Sequence, residues 1–377
     1  MRYYLIAGER SGDLHGGNLI RAIRHNDPGF TGRGFGGNYM QDAGMELALH
    51  YDKMAFMGFT AVLANFRTIS AIMKQCKTDI LAFKPDVVIL IDYGGFNMRI
   101  AKFAKANGLK VFFYISPKVW AWNTSRAWKL KATVDRMFCI LPFEREFYKR
   151  FDWEVDYVGN PVLDAIRQFR PDPDFLAKNG LANGKKIVAL LPGSRRMELE
   201  RVVPILAGVA RANNQYQFVV AAVKTLPPEL YKAVSDIPNV KLIFESTYDL
   251  LANATAALVT SGTATLETAL FKVPEVLMYK TTVIEEAIVR SLIKVKWIGL
   301  VNLIMNKNVV RELYQKDMSV ASLNAELDRL INDTTYRNTM LNEYEKMYQI
   351  LDTGSASENA GKLMVYYLGG KNPELRT

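Results

Sequence analysis

Short apolar runs alternate with amphipathic stretches along this chain, and the alternation starts afresh after a proline-rich break. In the first half the runs fall at residues 3–7, 87–91, 111–115, 137–141 and 155–158. Helical patterns lie between them, around 14–24, 68–83, 99–107 and 126–133. A strand buried on both faces reads as a continuous apolar run, and strands alternating with helices predict a parallel sheet covered on both sides. The break is Arg170-Pro171-Asp172-Pro173-Asp174, with Asn183-Gly184-Lys185-Lys186 shortly after. Beyond it the runs return at 187–191, 218–222, 240–244, 256–260 and 276–279. The pattern predicts an α/β protein of two domains, 1–165 and 166–345, with the helical tail from about 345 to 377 packing back on the first. A length of 377 residues agrees, because a single core stops growing at roughly 250–300 residues.

Composition narrows the class. With 49% hydrophobic and 23% charged residues, disorder is excluded as the main state. Two cysteines, Cys76 and Cys139, make neither a disulfide framework nor a four-cysteine zinc site. The histidines, His15, His25 and His50, have no ligand-like spacing, so no metal is expected. The first apolar run ends at Gly8 and Glu9, too soon for a signal peptide. No run approaches the ~18–20 residues of a membrane span. A cytoplasmic location is expected.

The positive charge is concentrated. Residues 101–150 hold 11 Lys or Arg against 3 Asp or Glu, within a net charge of +10 for the whole chain. Such an excess is either a solvated face or an attraction to something anionic. Residues 54–73 are rich in Phe, Met, Leu and Ile, with Arg67 their only charge. They read either as a core helix or as an apolar element that, beside a basic surface, meets an anionic membrane. No nucleic-acid module is present, so nucleic acid is disfavoured as a partner.

In doubly wound sheets, ligands bind beyond the carboxyl ends of strands. After the first run comes Gly8-Glu9-Arg10-Ser11-Gly12-Asp13, a glycine loop opening a helix, with Ser11 or Asp13 as a plain cap in the alternative reading. The string Gly32-Arg33-Gly34-Phe35-Gly36-Gly37 is rejected as a dinucleotide fingerprint, since no clean strand precedes it; a short strand and a turn are expected there. Asp92 ends the run at 87–91 and reads either as a general base or as a helix cap. Ser116-Pro117-Lys118-Val119-Trp120-Ala121-Trp122 follows the next run, its two tryptophans either an apolar wall or core. In the second half, Pro192-Gly193-Ser194-Arg195 after a strand makes a phosphate site without the lysine of a P-loop. Ser261-Gly262-Thr263 offers further donors to phosphate, and Glu267 lies one turn into the next helix, placed to hold a ribose.

These residues together resemble the lipid-A-disaccharide synthases, inverting glycosyltransferases of the family 19 type. The resemblance runs nearly end to end. It includes Ala7–Asp13 as quoted, Met57-Gly58-Phe59, Lys84-Pro85-Asp86, Asp92 with Phe96-Asn97, and Ser116–Trp122. It continues through Leu141-Pro142-Phe143-Glu144, Val158-Gly159-Asn160-Pro161, Leu191–Arg195 and Ser261–Glu267, to Asn302 and Glu312-Leu313-Tyr314-Gln315. Gly94 and Val301 stand where the family usually or often has proline. The resemblance implies a GT-B fold, two Rossmann-like domains facing a central cleft. It implies transfer of 2,3-diacylglucosamine from its UDP derivative to the 6-hydroxyl of 2,3-diacylglucosamine 1-phosphate (lipid X). The products are the β-1′,6 lipid A disaccharide 1-phosphate and UDP. No cofactor is implied, and the place is the cytoplasmic face of the inner membrane, peripherally held; a homo-oligomer is compatible with it.

On this basis Asp92 and Glu9 are the expected catalytic residues, Asp92 removing the acceptor proton, and the apolar segment 54–73 is expected to take acyl chains or dip into the bilayer. Glu9, Ser11, Gly12 and Asp13 are expected to shape the acceptor side, with Ser116 beside them. Gly193, Ser194, Arg195, Ser261, Gly262 and Thr263 are expected to take the diphosphate, Glu267 the ribose, and Asn302, Glu312 and Gln315 the donor sugar. The rivals are another UDP-N-acetylglucosamine enzyme of the same architecture (a lipid-linked glycosyltransferase or a 2-epimerase) and a non-catalytic sugar-nucleotide binder. A dinucleotide oxidoreductase would need the fingerprint that is absent.

Overall fold

The continuous apolar runs become central strands, because such a run loses nothing by being covered on both faces. A computed structural model describes residues 1–54, 66–181, 184–281 and 296–369. The chain divides into two units: Met1–Pro161 with Asp352–Thr377, and Val162–Leu351. The first holds β1 (Arg2–Ala7), β2 (Thr31–Gly36), β3 (Met45–His50), β4 (Val87–Ile91), β5 (Lys110–Tyr114), β6 (Arg136–Cys139) and β7 (Asp156–Tyr157). Their order is β3-β2-β1-β4-β5-β6-β7, every pair parallel. The second holds β8 (Ile187–Leu191), β9 (Gln217–Ala222), β10 (Val240–Phe244), β11 (Ala256–Thr260), β12 (Glu275–Tyr279) and β13 (Arg311–Tyr314), in the order β10-β9-β8-β11-β12-β13, again all parallel. Both units are thus the doubly wound α/β layers that the sequence pattern predicts.

Each sheet is built outward from its middle in two directions. In the first unit the direction reverses between β1 and β4, paired from Tyr3 with Val87 to Ala7 with Ile91. In the second it reverses between β8 and β11, paired up to Leu191 with Val259. At such a point the loops leaving the two strands diverge and open a crevice at the sheet's carboxyl edge. All five residues of β4, β8 and β11 are buried, so these edges are held rigidly.

Two strands escaped the sequence pattern. β3 and β13 are edge strands, and Glu46, His50, Arg311 and Glu312 break their apolar runs. The Gly32–Gly37 string is β2 and the turn after it. A Cβ on Gly34 would stand 1.9 Å from the Leu5 carbonyl oxygen, so that glycine serves strand packing. Of the apolar segment at 54–73, residues 55–65, with Met57-Gly58-Phe59, lie outside the described residues. Met54 ends a short 3-10 turn, and the helix Phe66–Phe83 carries the rest. Among the described residues no helix is long and apolar enough to cross a membrane.

The last helix, Ala356–Tyr367, completes the first unit. Ala360, Leu363, Met364 and Val365 join the core formed by β1, β4 and the helix Arg10–Asn26. Tyr367 donates to Asp156 at 3.0 Å while the Arg136 guanidinium lies 3.8 Å above its ring. Gly361 allows the helices to touch, since a Cβ there would be 2.7 Å from that of Ala22. Gly361→Val is therefore expected to destabilise the first unit by about 1–3 kcal/mol. Urea unfolding would read this; an unchanged midpoint would show that the two helices are not in tight contact.

Candidate active site

The loops at the first reversal point carry Glu9 after β1 and Asp92 after β4. Asp92 and Tyr93 both have left-handed backbone, with φ of 46° and 48°. Such a conformation costs a non-glycine residue on the order of 1 kcal/mol and persists only where the surroundings impose it. The surroundings are identifiable. The Asp92 N–H donates to the Tyr114 carbonyl at 3.0 Å. The buried Asn97 amide donates to the Asp92 carbonyl at 2.8 Å and to that of Ile91 at 3.2 Å. The Tyr93 hydroxyl donates to the Met54 carbonyl at 2.9 Å. Its ring fills the place of a Cβ on Gly8, which would meet it at 2.3 Å, so Gly8 admits no larger residue.

This geometry decides one alternative left open by the sequence. The helix Gly94–Ala106 has Tyr93 at its N-cap and no side-chain cap, so Asp92 does not cap it. The Asp92 carboxyl is half-buried and pushed up to about 6, first by burial and next by the charge of Glu9. Lys118 and the Tyr93 N–H pull the other way. Ser11 donates to Glu9 at 3.1 Å.

Other predicted residues of this unit have their polar atoms engaged internally. Buried Asp13 accepts from the N–H groups of Gly37 (2.7 Å), Tyr39 (3.1 Å) and Met40 (3.1 Å), closing the start of the helix Asn38–Asp42. Gly12 is buried against Ala7. The Ser116 hydroxyl pairs with that of Tyr148 at 2.7 Å. Trp120 is core, its indole N–H donating to Glu144 at 3.0 Å. Glu144 also accepts from the N–H groups of Ile140 and Leu141, and burial pushes its carboxyl up to about 7. An apolar cavity of about 240 Å³ is walled by Met54, Ile69, Ile72, Met73 and Phe96 and bounded by Tyr93, the residue after Asp92.

In the second unit the expectation of open N–H groups at Ser194 needs correction. One oxygen of Glu198 accepts from both Ser194 (2.9 Å) and Arg195 (3.1 Å). The signal was present, since an acid three residues into a helix often turns back on its start. Gly193 has φ of 103°, and a Cβ there would lie 2.2 Å from that same oxygen. What this loop does offer is the exposed Arg195 guanidinium, 3.6 Å from Glu198. The neighbouring loop differs. The helix Thr263–Leu270 begins at Gly262 with no side-chain cap, and nothing lies within 4 Å of a Cβ at Gly262. Ser261 leads into it from β11.

Half-buried Glu267 accepts from the Tyr248 hydroxyl at 2.9 Å through one oxygen, and burial raises its pKa. Tyr248, packed against Phe169 and Phe271, went unnoticed in the sequence because it lies 19 residues away. Asn302 and Glu312 are brought together and satisfied by each other and the backbone. Asn302 donates to Glu312 (2.9 Å) and Val310 (2.7 Å) and accepts from Val309 and Val310. Glu312 accepts from Ile298 and Gly299, closing the start of the helix Leu300–Met305. Gln315 accepts from the Thr281 N–H at 2.9 Å.

Comparison with known proteins joins this geometry to a family. The profile of lipid-A-disaccharide synthetase matches residues 3–363. A lipid-A-disaccharide synthase from Syntrophus aciditrophicus is 39% identical over 94% of this chain and 95% of its own. One from Geobacter sulfurreducens is 36% identical over 98% and 97%. Among solved structures, a UDP-GlcNAc 2-epimerase from Neisseria meningitidis bound to UDP-GlcNAc aligns with a TM-score of 0.66 at 15% identity, covering 98% of this chain and 99% of that one. The calicheamicin glycosyltransferase aligns at 0.63 and 15%, covering 99% of each. At such identity these likenesses concern the fold alone.

Removing the Asp13 carboxylate strands three N–H groups. Asp13→Ala should cost about 1–3 kcal/mol of stability or more, read by thermal unfolding, whereas a ligand-only Asp13 would leave the midpoint unmoved.

Proposed function

Because the chain belongs to the lipid-A-disaccharide synthetase family, we propose that Asp92 is the base of its transfer reaction and that Arg195, Gly262 and Thr263 receive the leaving nucleotide. The reaction moves 2,3-diacylglucosamine from its UDP derivative to the 6-hydroxyl of 2,3-diacylglucosamine 1-phosphate, yielding the β-1′,6 disaccharide 1-phosphate and UDP. Asp92 carries this reading: a carboxyl at the reversal point, held on a left-handed backbone, capping nothing and raised toward neutrality.

In the step itself the Asp92 carboxylate takes the proton of the 6-hydroxyl. The oxygen forms its bond to the anomeric carbon as the bond to the diphosphate breaks on the opposite face, which inverts the centre. The bonding pair leaves on UDP. On this reading Arg195 and the N–H groups of Gly262 and Thr263, which no side chain caps among the described residues, take up that charge, with Ser261 and Gly193 shaping the two turns. Glu267 has one oxygen on Tyr248 and offers the other to the ribose. Glu9, steadied by Ser11, keeps the Asp92 pKa up, and Lys118 limits the rise, so the base is ionised near neutral pH yet basic enough to act. Gly12, Asp13 and Ser116 act through packing. Asn302, Glu312 and Gln315 hold the segments around the donor sugar through the hydrogen bonds they make. The place of work on this reading is the cytoplasmic face of the inner membrane, held peripherally.

Asp92→Ala should lower kcat by about 10²–10⁴-fold or more while UDP binding stays nearly intact; turnover near wild type would remove Asp92 from the role. The wild-type kcat/KM should fall as pH drops through about 6. Glu9→Gln removes a neighbouring negative charge, favours the ionised Asp92, and should move that limb to lower pH; a fixed limb would mean another group sets it. Arg195→Ala should weaken UDP binding roughly ten- to hundredfold, measured by calorimetry, and an unchanged Kd would refute the phosphate contact.

A further inference from the structure

The cavity bounded by Tyr93 has one charged residue in its lining, Arg99. Arg99 follows Phe96 by three positions in the helix Gly94–Ala106, so the two share a face. It is exposed, which puts the guanidinium where the cavity meets water. No carboxylate pairs with it among the described residues, whereas Arg33 pairs with Asp79, and Arg311 and Arg329 share Glu326. An arginine stem against an apolar wall, its head exposed and in no ion pair among the described residues, matches an amphiphile whose chain enters the pocket and whose anion stays at the rim.

The position says which amphiphile. Tyr93 bounds the cavity and directly follows Asp92, so a molecule that presents its hydroxyl to Asp92 has this pocket within reach. The acceptor carries the hydroxyl, acyl chains and a phosphate, and the donor's phosphates are assigned to the other unit. We propose that this cavity takes one acyl chain of the acceptor and that Arg99 binds the acceptor's phosphate. The inference rests on Asp92 serving the acceptor and adds the subsite that selects it.

The test compares acceptor with and without its 1-phosphate, at fixed donor, for wild type, Arg99→Ala and Arg99→Lys. The preference for the phosphorylated acceptor, as a ratio of kcat/KM, should fall roughly tenfold or more in Arg99→Ala, mainly through KM. Lysine should restore part of it. Ile69→Trp, which fills the cavity, should raise KM for both acceptors alike. An Arg99→Ala variant that keeps the full preference, or that loses activity equally with both acceptors, would overturn the proposal. So would an Arg99→Ala variant that loses binding to phosphatidylglycerol vesicles while keeping the preference, because the cation would then serve the membrane. Equilibrium binding of the two acceptors in detergent gives the same comparison without turnover. Failure of the base assignment is read separately, by turnover that survives Asp92→Ala.

Discussion

One buried amide governs the geometry of the turn that carries Asp92. Asn97 reaches from the first turns of its helix to the carbonyls of Ile91 and Asp92, tying the end of β4 to the helix that leaves it. Without that tie, two consecutive left-handed residues would relax toward commoner backbone angles, and the Asp92 carboxyl would swing with them. The Tyr93 ring over Gly8 locks the same turn to the end of β1. The Asp92 carboxyl is thus placed by hydrogen bonds to the main chain and one ring contact, with no ion pair to neutralise it among the described residues.

Helix starts in the two units divide into closed and open ones. Asp13, Glu198 and Glu312 each turn a carboxylate onto the first N–H groups of a helix. Their negative charge also offsets the helix dipole, so these three starts are poor places for a phosphate. Gly262 has no side-chain cap, and among the described residues nothing lies within 4 Å of where its Cβ would be. The contrast separates helix starts closed by a carboxylate from the one at Gly262, and the sequence hides it where the closing acid comes from another element, as Asp13 and Glu312 do.

The sequence was most readable where the physics is local. Buried central strands such as 87–91 and 187–191 announce themselves by composition, and their register follows from the doubly wound layout. The edge strands β3 and β13 did not, since a strand covered on one side needs no apolar run. Among site residues, position after a strand was legible for Asp92, Arg195 and Gly262. Partnership was not: Tyr248 on Glu267, Tyr148 on Ser116 and Asn302 on Glu312 are encounters made by tertiary folding. Arg99 was passed over because an arginine in a helix pattern looks like any solvated residue until the wall beside it is known.

The return of the helix Ala356–Tyr367 to the first unit has a consequence for biosynthesis. Residues 162–351 are contiguous and can mature as they leave the ribosome, but the first unit lacks a wall of its core until residues 360–365 appear. At about 5–20 residues per second, the nascent amino-terminal sheet waits on the order of ten to forty seconds with an apolar flank uncovered. A chaperone has that interval in which to shelter it, and a chain that lacks residues 356–367 would keep a sound second unit while its first unit never closes.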